Sequence, residues 1–215
     1  MDRTAADFVA AHTRPATPPM LPELRLWLAE DAIALWERTE EATGRVGLPP
    51  PFWAFAWAGG QALARFVLDH PDEVRGRRVL DVAAGSGVVA IAACRAGAAD
   101  VTATEVDPFA AAAVARNAAT NGVRVRTVLA DVLDGDADGA EVVLAGDVCY
   151  NRTMARRVLG FLRRAADAGA RVLIGDPGRA YLPRAGLRAL ARYDVPVPRT
   201  VEDSDVKPTT VWELA

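Results

Sequence analysis

The chain has 215 residues, a formal net charge of −3 and 51% hydrophobic residues. This length allows one domain with a substantial buried core. The slight acidic excess disfavours a nucleic-acid-binding protein, which usually has a strong basic excess, and no apolar run reaches membrane-spanning length. The N-terminal residues lack the apolar stretch of a secretory signal, and the two cysteines make neither a disulfide framework nor a metal cluster. We therefore expect a cytoplasmic protein without a metal ion, and without a nucleic-acid or membrane partner.

The first quarter of the chain predicts a separate extension. Residues 1–20 are rich in proline and threonine and predict irregular structure, whereas the apolar spacing of 22–43 predicts one or two amphipathic helices. Three prolines in GLPPPFWAFAWAGG, residues 47–60, end any helix there. We expect residues 1–60 to form an N-terminal extension and 61–215 the main domain, which begins with a helix at 61–69, within a single folded unit.

From residue 78 onward, apolar strand patterns alternate with alanine-rich helix patterns. This rhythm predicts an α/β fold: a mostly parallel sheet with helices on both faces. Two late strand patterns predict a C-terminal antiparallel hairpin. The predicted strands are 78–82, 100–105, 123–130, 140–146, 170–176, 192–200 and 208–214, and the predicted helices between them are 86–97, 108–119 and 151–168.

The segment LDVAAGSGVVAIAA, residues 80–93, has the pattern of a strand, a glycine turn and a helix. Such a unit is typical of nucleotide binding, because the turn and the helix N-terminus present backbone N–H groups to a ligand. Residues 85–90 also satisfy the GxGxxG/A pattern of dinucleotide-binding proteins. A single match of this kind does not decide which nucleotide binds. The neighbouring residues have to distinguish the candidates.

Acidic residues follow the predicted strands at the edge where ligands bind such sheets: Asp81, Glu105, Asp131 and Asp147. A pyrophosphate at the glycine turn would be repelled by Asp81, at a cost on the order of several kcal/mol for partly buried like charges. S-adenosylmethionine has no phosphate and carries a sulfonium and an ammonium group, which the same carboxylates attract. The acidic residues therefore predict S-adenosylmethionine as the cofactor.

Position along the fold suggests a role for each cofactor-binding residue. Gly85 and Gly87 let the backbone approach the methionine part of the cofactor. Asp81 orients the turn and faces the amino group, and Glu105 accepts the ribose hydroxyls, a role that fits either cofactor. Asp131 either accepts the adenine amino group or only opens a surface loop. Asp107, followed by a proline, is predicted to cap the helix at 108.

The acceptor of the methyl group is expected to enter beside LAGDVCY, residues 144–150. Asp147 and Tyr150 could hold and aim an amine, and these are the predicted catalytic residues. The alternatives are that Asp147 caps the helix at 151 and that Tyr150 packs on the sheet. Asp176 offers a second carboxylate nearby, and Cys149 is predicted to be a packing residue. Trp57 is predicted to close the cofactor pocket, with Trp53 and Phe55 in the core.

Five segments together suggest a known family: PPPFWAFAWAGGQALARFVLDHPDEVRGRRVLDVAAGSG, TEVDP, LAGDVCYN, RVLIGDPGR and TTVWEL. They resemble the seven-strand protein lysine methyltransferases, in particular the electron transfer flavoprotein β-subunit lysine methyltransferases and their bacterial relatives.

The resemblance implies a Rossmann-like class I methyltransferase fold with seven strands, and a lysine of the electron transfer flavoprotein β subunit as acceptor. It also implies cofactor binding around Trp57, the glycine turn with Ala83, Glu105, and the end of the fourth strand at Gly146 and Asp147. The chain departs from the family pattern at Ala83, where relatives carry glycine, and at Ala58, where they carry proline. If the turn needs a positive φ at Ala83, this alanine costs roughly 1–2 kcal/mol.

Other functions remain open at this point. The acceptor could be another protein, such as a ribosomal protein, or a small amine. An NAD(P)-dependent reductase is disfavoured by Asp81 and by the lack of a catalytic tyrosine–lysine pair or histidine. A non-catalytic cofactor-binding module is the remaining alternative.

Overall fold

The computed structural model describes residues 3–183, 185–198 and 204–214. Its helices and strands alternate through most of the chain. The α-helices are α1 (Arg3–His12), α2 (Ala32–Thr43), α3 (Ala58–Asp69), α4 (Val88–Arg95), α5 (Pro108–Thr120) and α6 (Arg152–Asp167). The strands are β1 (Arg14–Ala16), β2 (Leu26–Leu28), β3 (Arg78–Val82), β4 (Asp100–Glu105), β5 (Arg126–Leu129), β6 (Val142–Gly146), β7 (Arg171–Asp176), β8 (Leu187–Pro196) and β9 (Val206–Leu214).

The main sheet has seven strands in the order β5-β4-β3-β6-β7-β9-β8. Neighbouring strands are parallel from β5 to β7, whereas β9 is antiparallel to both β7 and β8. The predicted parallel sheet and C-terminal hairpin are thus confirmed. The strand order reverses between β3 and β6, and ligands of open α/β sheets bind at the carboxyl ends of the strands at such a switch point.

Alternate residues of the central strands enter two separate cores, as the period of two in a strand requires. In β6, Val142 and Leu144 pack with residues of α3, α4 and α5 on one face. Val143 and Ala145 pack with α6 on the other face. Both faces of β6 are apolar because helices cover both, which is the pattern expected of a buried parallel strand.

Side-chain caps set where several helices begin. Asp107 accepts a hydrogen bond from the Phe109 N–H at 2.8 Å, and Pro108 follows it as the first residue of α5, so the predicted cap is confirmed. Asn151 caps α6 in the same way by accepting the Met154 N–H at 2.8 Å. The alternative that Asp147 caps this helix is therefore excluded.

The N-terminal region differs from prediction. Residues 3–12 form α1, whose Ala5 and Val9 are buried, instead of irregular structure. Leu26–Leu28, predicted to be helical, forms β2 and pairs antiparallel with β1. This pairing is local, and the Trp27 N–H also donates to Asn117 Oδ1 of α5 at 2.6 Å. Tertiary contacts with α5 thus override the helical spacing of the leucines in this segment.

Several element boundaries also differ. The strand predicted at 123–130 is shorter, Arg126–Leu129, and the strand predicted at 192–200 begins earlier and ends at Pro196. Residues 199 and 200 of that prediction lie outside the described residues. The helix predicted at 61–69 begins at Ala58, so α3 spans the predicted boundary between the extension and the main domain. In the described part of the chain, no helix is both long and apolar enough to cross a membrane.

Candidate active site

A cleft lies at the switch point of the sheet, between the carboxyl ends of β3 and β6. The cleft is open to solvent and is lined by six residues that the sequence predicted for the site: Trp57, Asp81, Ala83, Gly85, Gly146 and Asp147. The other lining residues, which were not predicted to belong to the site, are Phe55, Gly60, Ala84, Ser86, Val88 and Val89. A continuous surface thus joins the glycine turn to the predicted acceptor side.

The glycine turn places an alanine in a conformation that favours glycine. Ala83 has φ 54° and Gly85 has φ 56°, both in the left-handed region. An L-residue with a side chain costs roughly 1–2 kcal/mol there. At Gly87 an added Cβ would lie 3.2 Å from the Val114 side chain, so the turn also packs closely on α5. The departure at Ala83 therefore falls at a strained position of the turn.

Two carboxylates bind the glycine turn and the start of the helix that follows it. Asp81 is 1% exposed, and its Oδ2 accepts the Ala90 N–H of α4 at 2.9 Å. Glu105 Oε1 accepts the Gly85 N–H at 2.6 Å. Burial and then the charge of Glu105 raise the pKa of Asp81 to about 8, and burial raises the pKa of Glu105. Asp81 and Glu105 are therefore costly to ionise together. A bound cation would stabilise their ionised forms, whereas a bound phosphate would destabilise them.

Asn117 supports the same turn, and the sequence analysis missed it. It is completely buried within α5, and its Nδ2 donates to the Ser86 carbonyl at 2.8 Å. Its Oδ1 accepts the Trp27 N–H, so this one side chain links the turn, α5 and β2. A buried asparagine inside an alanine-rich helix is the signal that could have found it, because asparagine is unfavourable there without specific partners.

Asp147 follows β6 and also has a positive φ, of 56°. Its Oδ2 accepts the Gly60 N–H at 3.0 Å. Gly60 lies in the first turn of α3, where Trp57 at the N-cap position makes no side-chain capping bond. Asp147 therefore satisfies one of the N–H groups that a helix start leaves unpaired, and its charge faces the positive end of the helix dipole.

Arg179 is the second partner of Asp147, and sequence reasoning did not select it. Its Nε and Nη2 donate to Asp147 Oδ1 at 3.0 and 2.8 Å. The Arg179 N–H in turn donates to Asp176 Oδ1 at 2.6 Å. Burial, and secondarily the charge of Asp147, raises the pKa of Asp176 to about 6. The signal for Arg179 was its place directly after the acidic end of β7, in DPGR.

Aromatic side chains surround the acceptor side. The Phe52 ring centroid lies 5.8 Å from that of Trp57 and 5.1 Å from that of Tyr150. Trp57 Nε1 also donates to the Phe52 carbonyl at 2.8 Å, which fixes the indole. Tyr150 is 43% exposed and contacts Phe52. Trp53 and Phe55 are buried as predicted.

Paired glycines let α3 approach the strand ends without intervening side chains. A Cβ at Gly59 would overlap the Gly175 carbonyl oxygen and lie 2.6 Å from Asp147 Oδ2. A Cβ at Gly146 would lie 2.9 Å from the Gly60 Cα. These contacts explain why the sequence has WAGGQ at the start of the helix: the first turn of α3 packs directly on the ends of β6 and β7.

Asp131 has partners outside the cleft, and Cys149 is buried as predicted. Asp131 lies outside the cleft lining; its Oδ2 pairs with Arg157 Nη1 at 2.7 Å and its Oδ1 accepts the Leu133 N–H at 3.1 Å. The Arg157 guanidinium lowers the pKa of Asp131. Cys149 is completely buried, and burial raises its pKa to about 12, so it is an uncharged packing residue.

A larger and more open groove lies along α5, where α1 and β2 contribute Ala6 and Trp27 to its lining. Alanines of α5, Trp27 and Arg116 line it. It has no carboxylate among its lining residues and is remote from the carboxyl ends of the strands, so the chemistry favours the smaller cleft as the cofactor site.

Comparison with known proteins gives consistent matches. The family profile of ribosomal protein L11 methyltransferase (PrmA) matches residues 62–148. The electron transfer flavoprotein beta subunit lysine methyltransferase of Xenopus laevis is 36% identical over 213 residues, covering 96% of this chain and 85% of that protein. The rat protein of the same name is 34% identical over 204 residues, covering 91% and 78%.

Among solved structures, magnesium protoporphyrin IX methyltransferase (ChlM) from Synechocystis PCC 6803, with bound SAM, matches with a TM-score of 0.53. The match has 15% identity and covers 73% of this chain and 79% of that one. At this identity the likeness shows the fold alone, which confirms the predicted class I methyltransferase architecture.

Proposed function

Because the chain belongs to the electron transfer flavoprotein β-subunit lysine methyltransferase family, we propose that its acceptor is a lysine side chain of the electron transfer flavoprotein β subunit. The chain is an S-adenosylmethionine-dependent methyltransferase with the fold of its class. A cytoplasmic location and the division at residue 60 stay predictions.

The residues of the cleft fit this cofactor on chemical grounds. When bound, S-adenosylmethionine supplies an electrophilic methyl group on a positively charged sulfur. Asp81 and Glu105 would hold its ammonium group and its ribose hydroxyls, and the turn at Ala83, Gly85 and Gly87 would lie against its methionine part. For Asp131, which already pairs with Arg157, an adenine contact remains part of the proposal.

On the acceptor side, Asp147 and Tyr150 would orient the amine. A free lysine has a pKa of about 10.4, so it must lose a proton before its nitrogen can attack. Water at the open side of the cleft would take this proton. The nitrogen lone pair could then attack the methyl carbon, and the C–S bond would break to release S-adenosylhomocysteine. Phe52 and Trp57 would contact the aliphatic part of the lysine and exclude water from it.

The observation that carries the proposal is the position of Asp147. It lines the same cleft as the glycine turn and Asp81, and it lies on the opposite side of the switch point, at the end of β6. A cofactor on β3 and an acceptor on β6 would therefore meet within one cleft, as an in-line methyl transfer requires.

The test is a methyl-transfer assay with purified electron transfer flavoprotein, read by intact mass and peptide mapping. We expect additions of about 14 Da per methyl group on lysine of the β subunit only. Asp147→Asn should lower turnover about tenfold or more while the dissociation constant of the cofactor stays within about threefold. No mass change on the flavoprotein would refute the proposed substrate.

Ribosomal protein L11 belongs in the same assay as a second candidate, since the PrmA profile matches residues 62–148. Methylation of L11 in preference to the flavoprotein would replace the proposed substrate. The family comparison favours the flavoprotein, because those relatives match nearly the whole chain, whereas the profile matches its central part.

A further inference from the structure

We propose that Arg179 is a positioning residue for the acceptor end of the cleft: it fixes the carboxylate of Asp147 and neutralises its charge beside the acceptor amine. The inference rests on the proposed function in one respect, because it takes Asp147 as the group that meets the acceptor. The loop DPGR would thus take part in the reaction without touching the reacting atoms.

The first argument is the geometry of the carboxylate. Two N–H groups of Arg179 converge on Asp147 Oδ1, at 3.0 and 2.8 Å, while the Gly60 N–H holds Oδ2 at 3.0 Å. Contacts on both oxygens prevent rotation of the carboxylate about its last torsion. Charge-assisted bonds from an arginine are among the strongest in proteins, so this orientation is well defined.

The second argument is that Arg179 is itself held in place. Asp176 is 1% exposed, and its Oδ1 accepts the backbone N–H groups of Gly178 and Arg179 at 2.7 and 2.6 Å. The Tyr181 N–H donates to the Cys149 carbonyl at 3.3 Å, which ties this loop to the loop that carries Asp147 and Tyr150. The two acceptor-side loops therefore form one connected unit.

The third argument concerns charge. The Arg179 guanidinium lies 5.7 Å from the centroid of Trp57, on the aromatic wall of the cleft, and its side chain is 20% exposed. Because Arg179 neutralises the Asp147 carboxylate, it removes a charge that would favour the ammonium form of an amine over the neutral form that methyl transfer needs. The other acidic groups around the cleft are Glu105, Asp176 and Asp81, whose pKa burial raises to about 8, with the Tyr150 hydroxyl at the rim.

The test compares Arg179→Met and Arg179→Lys with Arg192→Met, which removes an exposed arginine on β8. We measure kcat and KM for the acceptor protein across pH, and the cofactor dissociation constant by calorimetry. For Arg179→Met we expect kcat/KM to fall about 10- to 100-fold, the scale of a misplaced catalytic group, with cofactor affinity unchanged. The rising limb of its pH profile should move to higher pH.

Arg179→Lys keeps the charge but not the paired N–H geometry, so it should restore the pH profile and only part of the rate. Arg192→Met should match the wild type in both its pH profile and its rate. A pH profile that is unchanged in Arg179→Met, or a loss equal to that of Arg192→Met, would overturn the inference.

A second readout does not depend on the acceptor. The Gly60 N–H reports on the carboxylate that binds it, so its hydrogen exchange, followed by NMR, should become about tenfold faster or more in Arg179→Met. It should be unchanged in Arg192→Met. If the wild-type enzyme methylates no flavoprotein lysine, the proposed substrate fails, while Gly60 exchange still decides the role of Arg179. Unchanged exchange in a folded Arg179→Met variant contradicts the positioning role.

Discussion

Replacing Ala83 by glycine should stabilise the protein or leave its stability unchanged, although alanine-to-glycine changes usually destabilise. Ala83 has φ 54°, a conformation that costs an alanine roughly 1–2 kcal/mol. Glycine removes this strain but gives the unfolded chain more freedom, which opposes the gain by about 0.4–1 kcal/mol. The partly buried methyl group contributes a further loss of about 0.4 kcal/mol. The free energy of unfolding should therefore change by between about −0.4 and +1.2 kcal/mol, so that it rises or stays nearly unchanged.

Ala84→Gly is the matched control. Ala84 is the next residue of the same turn, is equally half-buried, and does not have a positive φ. The free energy of unfolding of this variant should fall by about 1 kcal/mol, because only the losses from unfolded-chain entropy and from methyl burial apply. The two variants should thus differ by about 1–2 kcal/mol, or a few degrees in Tm for a chain of this size.

Urea unfolding followed by tryptophan fluorescence measures both variants, and calorimetry checks that the cofactor still binds. The comparison cancels most errors of extrapolation, because the two substitutions are chemically identical. Equal destabilisation of the two variants would show that the turn does not strain Ala83. The departure from the family pattern would then carry no energetic cost.

Three further predictions concern the cleft. Glu105→Gln should weaken S-adenosylmethionine binding by about 1.5–3 kcal/mol, the range for a hydrogen bond to a charged group; an unchanged isotherm removes Glu105 from the site. Gly59→Ala should lower the free energy of unfolding by about 1–3 kcal/mol or more, because its Cβ would overlap the Gly175 carbonyl, whereas Gly160→Ala on α6 should not destabilise. Since the folded-state pKa of Asp81 is raised to about 8, the folded protein retains a proton that the unfolded chain has lost, and this group's contribution to stability should fall as pH rises from about 4 to about 8. Urea titrations across pH should show a smaller decline in Asp81→Asn; an identical decline would contradict the raised pKa.

The parallel core of the fold could be predicted because its signals are local and repeated. Strands such as 78–82 and 100–105 are short apolar runs between alanine-rich helices, and both were predicted with their exact bounds. Asp107 and Pro108 mark a helix start by their own chemistry. For these elements, local preference and tertiary structure agree.

The N-terminal region shows where this agreement fails. Leu26–Leu28 has a spacing that suits a helix, yet it forms a strand because β1 and Asn117 supply partners for its backbone. Asn117 is distant in sequence, and β1 lies in a segment whose prolines suggested irregular structure. Hydrophobic spacing alone cannot report such contacts.

The sequence predicted those residues of the candidate site that lie at the carboxyl ends of strands. The glycine turn, Asp81, Glu105 and Asp147 follow from the rule that ligands bind at the carboxyl edge of the sheet. Arg179 and Asn117 do not, because each acts through a contact between distant segments: Arg179 with Asp147, and Asn117 with Ser86. Asp131 satisfies the positional rule but is paired with an arginine of α6 that the rule does not consider.

The most direct test of the account is parallel calorimetric titration of the protein with S-adenosylmethionine, S-adenosylhomocysteine and NADH. The central claim is that the buried acids beside the glycine turn select a cationic cofactor over a dinucleotide phosphate. The account predicts binding of both adenosyl ligands, weaker binding of S-adenosylmethionine in Asp81→Asn, and no heat from NADH. Binding of NADH to the wild-type protein would contradict it, since Asp81 could not then face the bound ligand.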